Sequence, residues 1–298
     1  MCGIAGLFLK DPRLEPQLGA MLTDMLVTLT DRGPDSAGIA IYGHPRKGRA
    51  KLVLQSANPA NDFKSLDADL DKAVGGKVTS RVRDTHIVLE VDAAKLDAAR
   101  AAIKTLRPTA HVMSVGEEIE IYKEVGLPKD VLARFDIAHM AGTHGIGHTR
   151  MATESAVTTL GAHPFSTGPD QCLVHNGSLS NHNSVRRNLI RAGMTFETEN
   201  DTEVAAAFIS HKLQQGATLG QALEATLTEL DGFFTFVVGT KNGFGVVRDP
   251  IACKPAVMAE TDQYVAFGTE YRALVNLPGI ESARVWEPEP ATVYFWER

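Results

Sequence analysis

The chain has 298 residues, 44% hydrophobic and 22% charged, with a net charge of −6. That length can bury a large core, as one big domain or as a domain carrying a smaller insertion, and the composition is that of an ordinary globular protein. An acidic balance without a basic cluster argues against nucleic acid or an anionic membrane as the main partner. No apolar run approaches the roughly 20 residues of a spanning helix, and the N-terminus lacks the charged and apolar regions of a signal peptide. Cys2, Cys172 and Cys253 are widely separated and odd in number, so they form neither a disulfide framework nor a CxxC metal knuckle. The expected location is cytoplasmic.

In chain order, residues 3–9 (GIAGLFL) are small or apolar and bounded by charge, which predicts a buried strand. Leu18, Met21, Leu22, Met25, Leu26 and Leu29 recur at helical spacing, and Gly33-Pro34 ends the run. SAGIAIYG at 36–43 is the next strand. From 45 to 136 the texture changes to a short strand (KLVLQS), a loop (NPANDF), a strand (HIVLEVD) and an alanine-rich helix. AHVMSVGEEIEIYKEVG then predicts a hairpin turning near Gly116-Glu117, followed by a short helix, LPKDVLARF. This stretch is expected to be a small α/β insertion. Beyond it come a strand at 145–153 (GIGHTRMAT), a strand at 171–181 ending in an Asn-Gly turn, three helices near 182–192, 202–216 and 219–230, and five strand-like segments divided by Gly, Asn and Pro.

Cys2 directly follows the start methionine. Methionine removal is favoured by a small second residue and would give this cysteine a free α-amine. An α-amine with a pKa near 7.7–8.0 and a thiol near 8.5 both titrate close to neutral pH, so one residue can hold a nucleophile and its base. Gly3 and Gly6 would let substrate approach the backbone. The bland alternative is an N-terminal strand with a chance cysteine. In GHTRMAT, alternation puts His148 and Arg150 on one face and Gly147 and Thr149 on the other. Arg150 needs an anion or carboxylate partner if buried, and its planar fork suits an α-carboxylate; a structural ion pair is the alternative. His139, His144 and His148 have a ligand-like spacing, but the glycines between them disfavour a helix, and His148 is expected to be a packed, hydrogen-bonded histidine. Asn176-Gly177 is a turn signal that also offers an amide and an N–H to an oxyanion. Asn200 or Asp201 can cap the following helix, with Glu203 completing a box, and Asp201 can also hold an ammonium group. Arg32, in the RGPDS turn, either closes over the nucleophile or is a loop arginine.

The ordered set MCGIAG, RGPDSAG, GHTRMAT, VHNGSL and NDTE resembles the class II glutamine amidotransferases, glutaminase domains with an N-terminal nucleophile. The resemblance covers the N-terminal segment and about 143–277. It implies an α+β fold, a four-layer αββα sandwich of the Ntn-hydrolase type, here a single domain over 1–298 with the insertion at 45–136. It implies Cys2 as the nucleophile, Asn176 and Gly177 as the oxyanion hole, Arg150 with Thr153 at the glutamine α-carboxylate, Asp201 at the α-amine, and Arg32 near the nucleophile. Three positions depart from the pattern: Asp31 precedes the loop arginine, Glu154 follows GHTRMAT, and Ala252-Cys253 stands where a glycine is common, with Cys253 expected in the core.

No cofactor or metal is expected in this chain, because it has no G-x-G-x-x-G after a strand, no P-loop and no cysteine cluster. The closest look is to the glutaminase-like subunit of N-methylglutamate synthase and split glutamate synthases. That implies a separate glutamate-synthase-like subunit, carrying FMN with or without iron–sulfur, that uses the ammonia. Two other readings stay open: an Ntn amidase acting on another amide, and a non-catalytic glutamine-binding or scaffold subunit.

Overall fold

A computed structural model describes residues 2–152 and 156–298. In chain order, β1 (Gly3–Leu9), α1 (Leu18–Thr28) and β2 (Ser36–Tyr42) come first. Next are β3 (Arg49–Gln55), α2 (Pro59–Asp62), α3 (Leu66–Val74), β4 (Thr79–Arg83), β5 (His86–Asp92), α4 (Leu96–Leu106), β6 (His111–Gly116), β7 (Ile119–Val125) and α5 (Pro128–Arg134). The remainder is β8 (His144–Arg150), β9 (Phe165–Gly168), β10 (Gln171–Leu179), α6 (His182–Arg191), α7 (Asp201–Gln214), α8 (Leu219–Glu229), β11 (Gly232–Thr240), β12 (Gly243–Arg248), β13 (Val257–Glu260), β14 (Tyr264–Gly268), β15 (Arg284–Trp286) and β16 (Thr292–Glu297).

Two sheets face one another. One has the order β15-β13-β14-β1-β8-β2-β7 and the other β16-β12-β11-β10-β9; the pairings within both are antiparallel. β1 takes an interior place because each of its seven residues is buried and none is charged. The sheets meet through close contacts between their inner faces. Phe8 and Phe244 lie 6.5 Å apart, and Tyr42 packs against Gly239. Leu22 and Leu26 of α1 lie on Gly145 and Gly147, covering the outer face of the first sheet. Leu219 and Leu223 of α8 lie on Gly243 and Gly245, and α7, buried from Thr202 through Ser210, covers the second. The result is the helix–sheet–sheet–helix sandwich expected from the sequence.

The sequence predicts an insertion over 45–136, but the separate four-stranded sheet, β4-β5-β3-β6, ends at Gly116. Its own core includes Leu52, Leu54, Leu70, Leu89 and Ile103, while Val53, Val88 and Met113 on the alternate face join the main core. The predicted hairpin at 110–126 does not pair with itself. β7 instead runs along β2 as the edge of the seven-stranded sheet. Asp170, at the β9–β10 turn, fixes this switch: its carboxylate accepts from the N–H groups of Glu117 (2.8 Å), Glu118 (2.8 Å) and Ile119 (3.0 Å). These are the backbone donors that a hairpin turn would otherwise leave unpaired.

Candidate functional site

Cys2 precedes the central strand and is half-buried. Its carbonyl accepts from Arg32 Nε and from Asn176 Nδ2, each at 3.2 Å. Its thiol faces the carbonyl of Met151 at 3.9 Å. The N–H of Ile4 donates to Thr269 Oγ1 at 2.8 Å, and the Thr269 N–H donates back to the Ile4 carbonyl at 3.0 Å. Segments from four distant parts of the chain therefore fix residues 2–4. Gly3 and Gly6 do not open a path for substrate, contrary to the sequence expectation. A Cβ on Gly3 would lie 2.7 Å from Thr149 Oγ1, and one on Gly6 2.7 Å from the Phe244 ring, so both serve packing between layers.

Arg32 closes a short turn after α1, with its side chain mostly buried. Besides the Cys2 carbonyl it pairs with Glu270, which also binds Arg272 Nε at 2.5 Å. Burial pushes the Glu270 carboxyl up, but the two guanidinium groups outweigh it and hold the carboxyl below its usual range. Arg32 Nη2 is a buried donor with no partner among the described residues. Asp35 ties the same loop to the end of β8. Its N–H donates to the Arg150 carbonyl at 3.0 Å, and its carboxylate accepts from the Ala152 N–H at 2.8 Å.

The face assignment in β8 holds: Gly145 and Gly147 face α1, and His148 faces the second sheet, where its Nε2 meets the His175 carbonyl at 3.1 Å. Arg150 is 6% exposed, and its Nη1 donates to the Ala156 carbonyl at 3.4 Å. Thr153 and Glu154 lie outside the described residues.

β10 does not turn at Asn176-Gly177; it pairs with β11 through Leu179. The dipeptide signal yields to the ladder because Gly177 takes φ +150°, which glycine adopts readily, and a Cβ there would stand 2.0 Å from the Phe233 carbonyl. Asn176 thereby stays in the strand, with its amide at Cys2. Two residues past Gly177, the Leu179 N–H donates to Asp201 Oδ2 at 2.9 Å, and His175 Nδ1 lies 3.7 Å from Asp201 Oδ1. Burial raises the Asp201 carboxyl, but the His175 imidazole and the Leu179 N–H more than reverse that and hold it at about 2. Asn200 is the N-cap of α7, its Oδ1 accepting from the Thr202 N–H at 2.8 Å. Glu203 does not complete a box with it. Its carboxylate accepts from the N–H groups of Glu197 and Thr198, each at 2.8 Å, so it braces the preceding loop. Thr202 Oγ1 is shared between His163 Nε2 (2.8 Å) and His175 Nδ1 (3.1 Å).

Cys172 is fully buried, and burial pushes its thiol up to about 12. Cys253 is exposed rather than in the core. Its segment turns over Arg248, whose Nη2 donates to the Ala252 carbonyl at 2.9 Å and the Lys254 carbonyl at 3.1 Å, and Ala252 takes φ +52°. Sequence reasoning missed Glu270, Asp35 and His175. Only a buried arginine's need for a counter-charge signalled Glu270. Among the described residues no group of three His, Cys, Asp or Glu side chains is placed to hold a metal, and no helix is long and apolar enough to cross a membrane.

Residues 148–276 match the model of a glutamine amidotransferase domain. Over 297 residues the chain is 69% identical to GlxB, a glutamine amidotransferase-like protein of Rhizobium meliloti (strain 1021), covering 100% of this chain and 98% of that one. It is 33% identical over 312 residues to a putative glutamine amidotransferase of Methanothermobacter thermautotrophicus, covering 100% of each. The chain belongs to the class II glutamine amidotransferases. The amidotransferase fold is seen again in glutamine phosphoribosylpyrophosphate amidotransferase from B. subtilis. That structure superposes with a TM-score of 0.63 at 19% identity, over 99% of this chain and 47% of that one. In this chain the αββα layers bring Cys2, Arg32, Asn176 and the end of β8 together at one end of β1, with Asp201 joined to them through β10.

Proposed function

We propose that this chain hydrolyses glutamine to glutamate and ammonia through a thioester on Cys2. The observation that carries the reading is the double grip on the Cys2 carbonyl by Arg32 and Asn176, which holds the N-terminal residue still without touching its amine or thiol. With Met1 removed, the α-amine takes the thiol proton and the sulfur attacks the carboxamide carbon. The oxyanion that forms receives hydrogen bonds from the Asn176 amide and the Gly177 N–H. The tetrahedral intermediate collapses with the proton passing to the leaving nitrogen, releasing ammonia and leaving the thioester. Water, deprotonated by the same amine, then hydrolyses the thioester to glutamate and restores the thiol. Arg150, with Thr153 beside it, holds the glutamine α-carboxylate, and Asp201 holds the α-ammonium. A carboxyl held at about 2 is charged at any physiological pH, as an ammonium partner requires.

Released ammonia is useful only if captured. We assign capture to a separate glutamate-synthase-like subunit in the cytoplasm, such as that of N-methylglutamate synthase, with FMN and any iron–sulfur cluster in that partner. Exposed apolar side chains beside the site support a docking face. Phe233, whose carbonyl abuts Gly177, is 37% exposed, and Tyr271, next to Glu270, is 48% exposed. The test is glutamate release by the processed protein alone and with its co-purified partner. Turnover that rises with the partner and vanishes in Cys2→Ala supports the reading. Undiminished turnover in Cys2→Ala refutes the nucleophile, and equal rates with and without the partner refute the coupling.

A further inference from the structure

A cavity of about 300 Å³ lies between α4 and β6 of the inserted sheet on one side and β9 and the α6–α7 connection on the other. Its size falls at the lower end of small-molecule sites, which run from roughly 300 to 1,000 Å³. Neither Cys2, Asn176, Arg150 nor Asp201 lines it.

The wall is polar, and its charges are unevenly spent. Glu203 accepts with its carboxylate from the backbone N–H groups of Glu197 and Thr198 and from the Thr198 hydroxyl, and the carboxylate of Glu197, also on the wall, lies 3.6 Å from His111 Nδ1. Lys123, at the floor, donates to the carbonyls of Leu160 (3.2 Å), Ala162 (2.7 Å) and Pro164 (3.2 Å). Arg100 and Lys104 are exposed, stand one turn apart on α4, and make no ion pair with a described residue. Ser114 is 2% exposed, and its hydroxyl has no hydrogen-bond partner among the described residues. Two unpaired cations at the wall and an unsatisfied hydroxyl within it are what a ligand with an anionic head would satisfy.

We propose that this cavity binds a small organic anion, a carboxylate or phosphate, with Arg100 and Lys104 taking its charge and Ser114 donating a hydrogen bond inside. The occupant acts as an effector, because Lys123 joins the cavity floor to the backbone of residues 160–164, and the segment from Ala156 to Pro164 begins at a carbonyl that binds Arg150. The effector role rests on the function proposed above; the binding site does not.

The test is calorimetric titration of the full-length processed protein with inorganic phosphate and, separately, with succinate. At least one should bind saturably at one site. The double variant Arg100→Gln/Lys104→Gln, changed only at exposed positions, should weaken it about tenfold or more, and Ser114→Ala should weaken it further. Binding of phosphate alone assigns a phosphate ligand, and of succinate alone a carboxylate. No saturable binding of either probe, or equal affinity in the double variant, overturns the site. The bound probe should also shift the KM for glutamine in the wild type but not in the double variant. An unchanged KM with binding intact removes the effector role and leaves the site standing. Absence of any glutamine turnover falls on the proposed function, because the titration does not use glutamine.

Discussion

Asp201→Asn exchanges one oxygen for nitrogen at the junction of β10 and α7. An asparagine oxygen can still accept from the Leu179 N–H, so the change removes charge rather than shape. The wild-type carboxyl is held at about 2 instead of 3.8. At about 1.4 kcal/mol per pH unit, that gap corresponds to roughly 2 kcal/mol of folding stability drawn from the charged form. The sign follows from the depressed value. The contribution is complete above the unfolded-state pKa of 3.8 and is lost as pH falls through the folded-state value of about 2. Urea unfolding of both proteins across this range, compared as a difference, cancels the other carboxylates they share. The wild type should be about 2 kcal/mol more stable at neutral pH, with the gap closing as the medium is acidified below pH about 4. A gap that is independent of pH would mean that the charge is not favoured there. The reasoning that places an ammonium partner at Asp201 would then fail.

Arg150→Ala should raise the KM for glutamine roughly ten- to a hundredfold with the fold intact, since a charge-assisted hydrogen bond to the carboxylate contributes about 1.5–3 kcal/mol. Steady-state kinetics checks this, and an unchanged KM removes Arg150 from the substrate. Gly177→Ala should destabilise the chain by about 2–5 kcal/mol, combining overpacking against the Phe233 carbonyl with an unfavourable φ. Thermal unfolding reads this directly, and a variant of wild-type stability would contradict the strand geometry at the candidate oxyanion hole.

Much of the sandwich was legible because its signals are local. The uncharged run at residues 3–9 became an interior strand, the helical spacing of Leu18 to Leu29 became α1, and HIVLEVD became β5 without a shift at either end. What failed was decided by distant groups. Asn176-Gly177 has the composition of a turn, yet ladder pairing with β11 kept it extended. The 110–126 segment reads as a hairpin, and only Asp170, more than forty residues later, directs its second half to another sheet. Cys253, standing where a glycine is common, is expected in the core, but hydrogen bonds from Arg248 to the Ala252 and Lys254 carbonyls hold its segment as an exposed turn. In the site, residue types and order pointed to Cys2, Arg32, Asn176 and Asp201. Glu270 and His175, which fix two of those side chains, leave no local pattern, because a single ionisable residue after or within a strand has no period to read.

The account stands or falls on Cys2 as the leading residue of the working chain. Peptide mass spectrometry of the native protein, after reaction with a diazoketone analogue of glutamine, tests this directly. It should show a chain that starts at Cys2, an adduct on that N-terminal peptide, and protection by excess glutamine, with buried Cys172 unmodified. An adduct on exposed Cys253 in place of Cys2, or an active protein that still carries Met1, would contradict it.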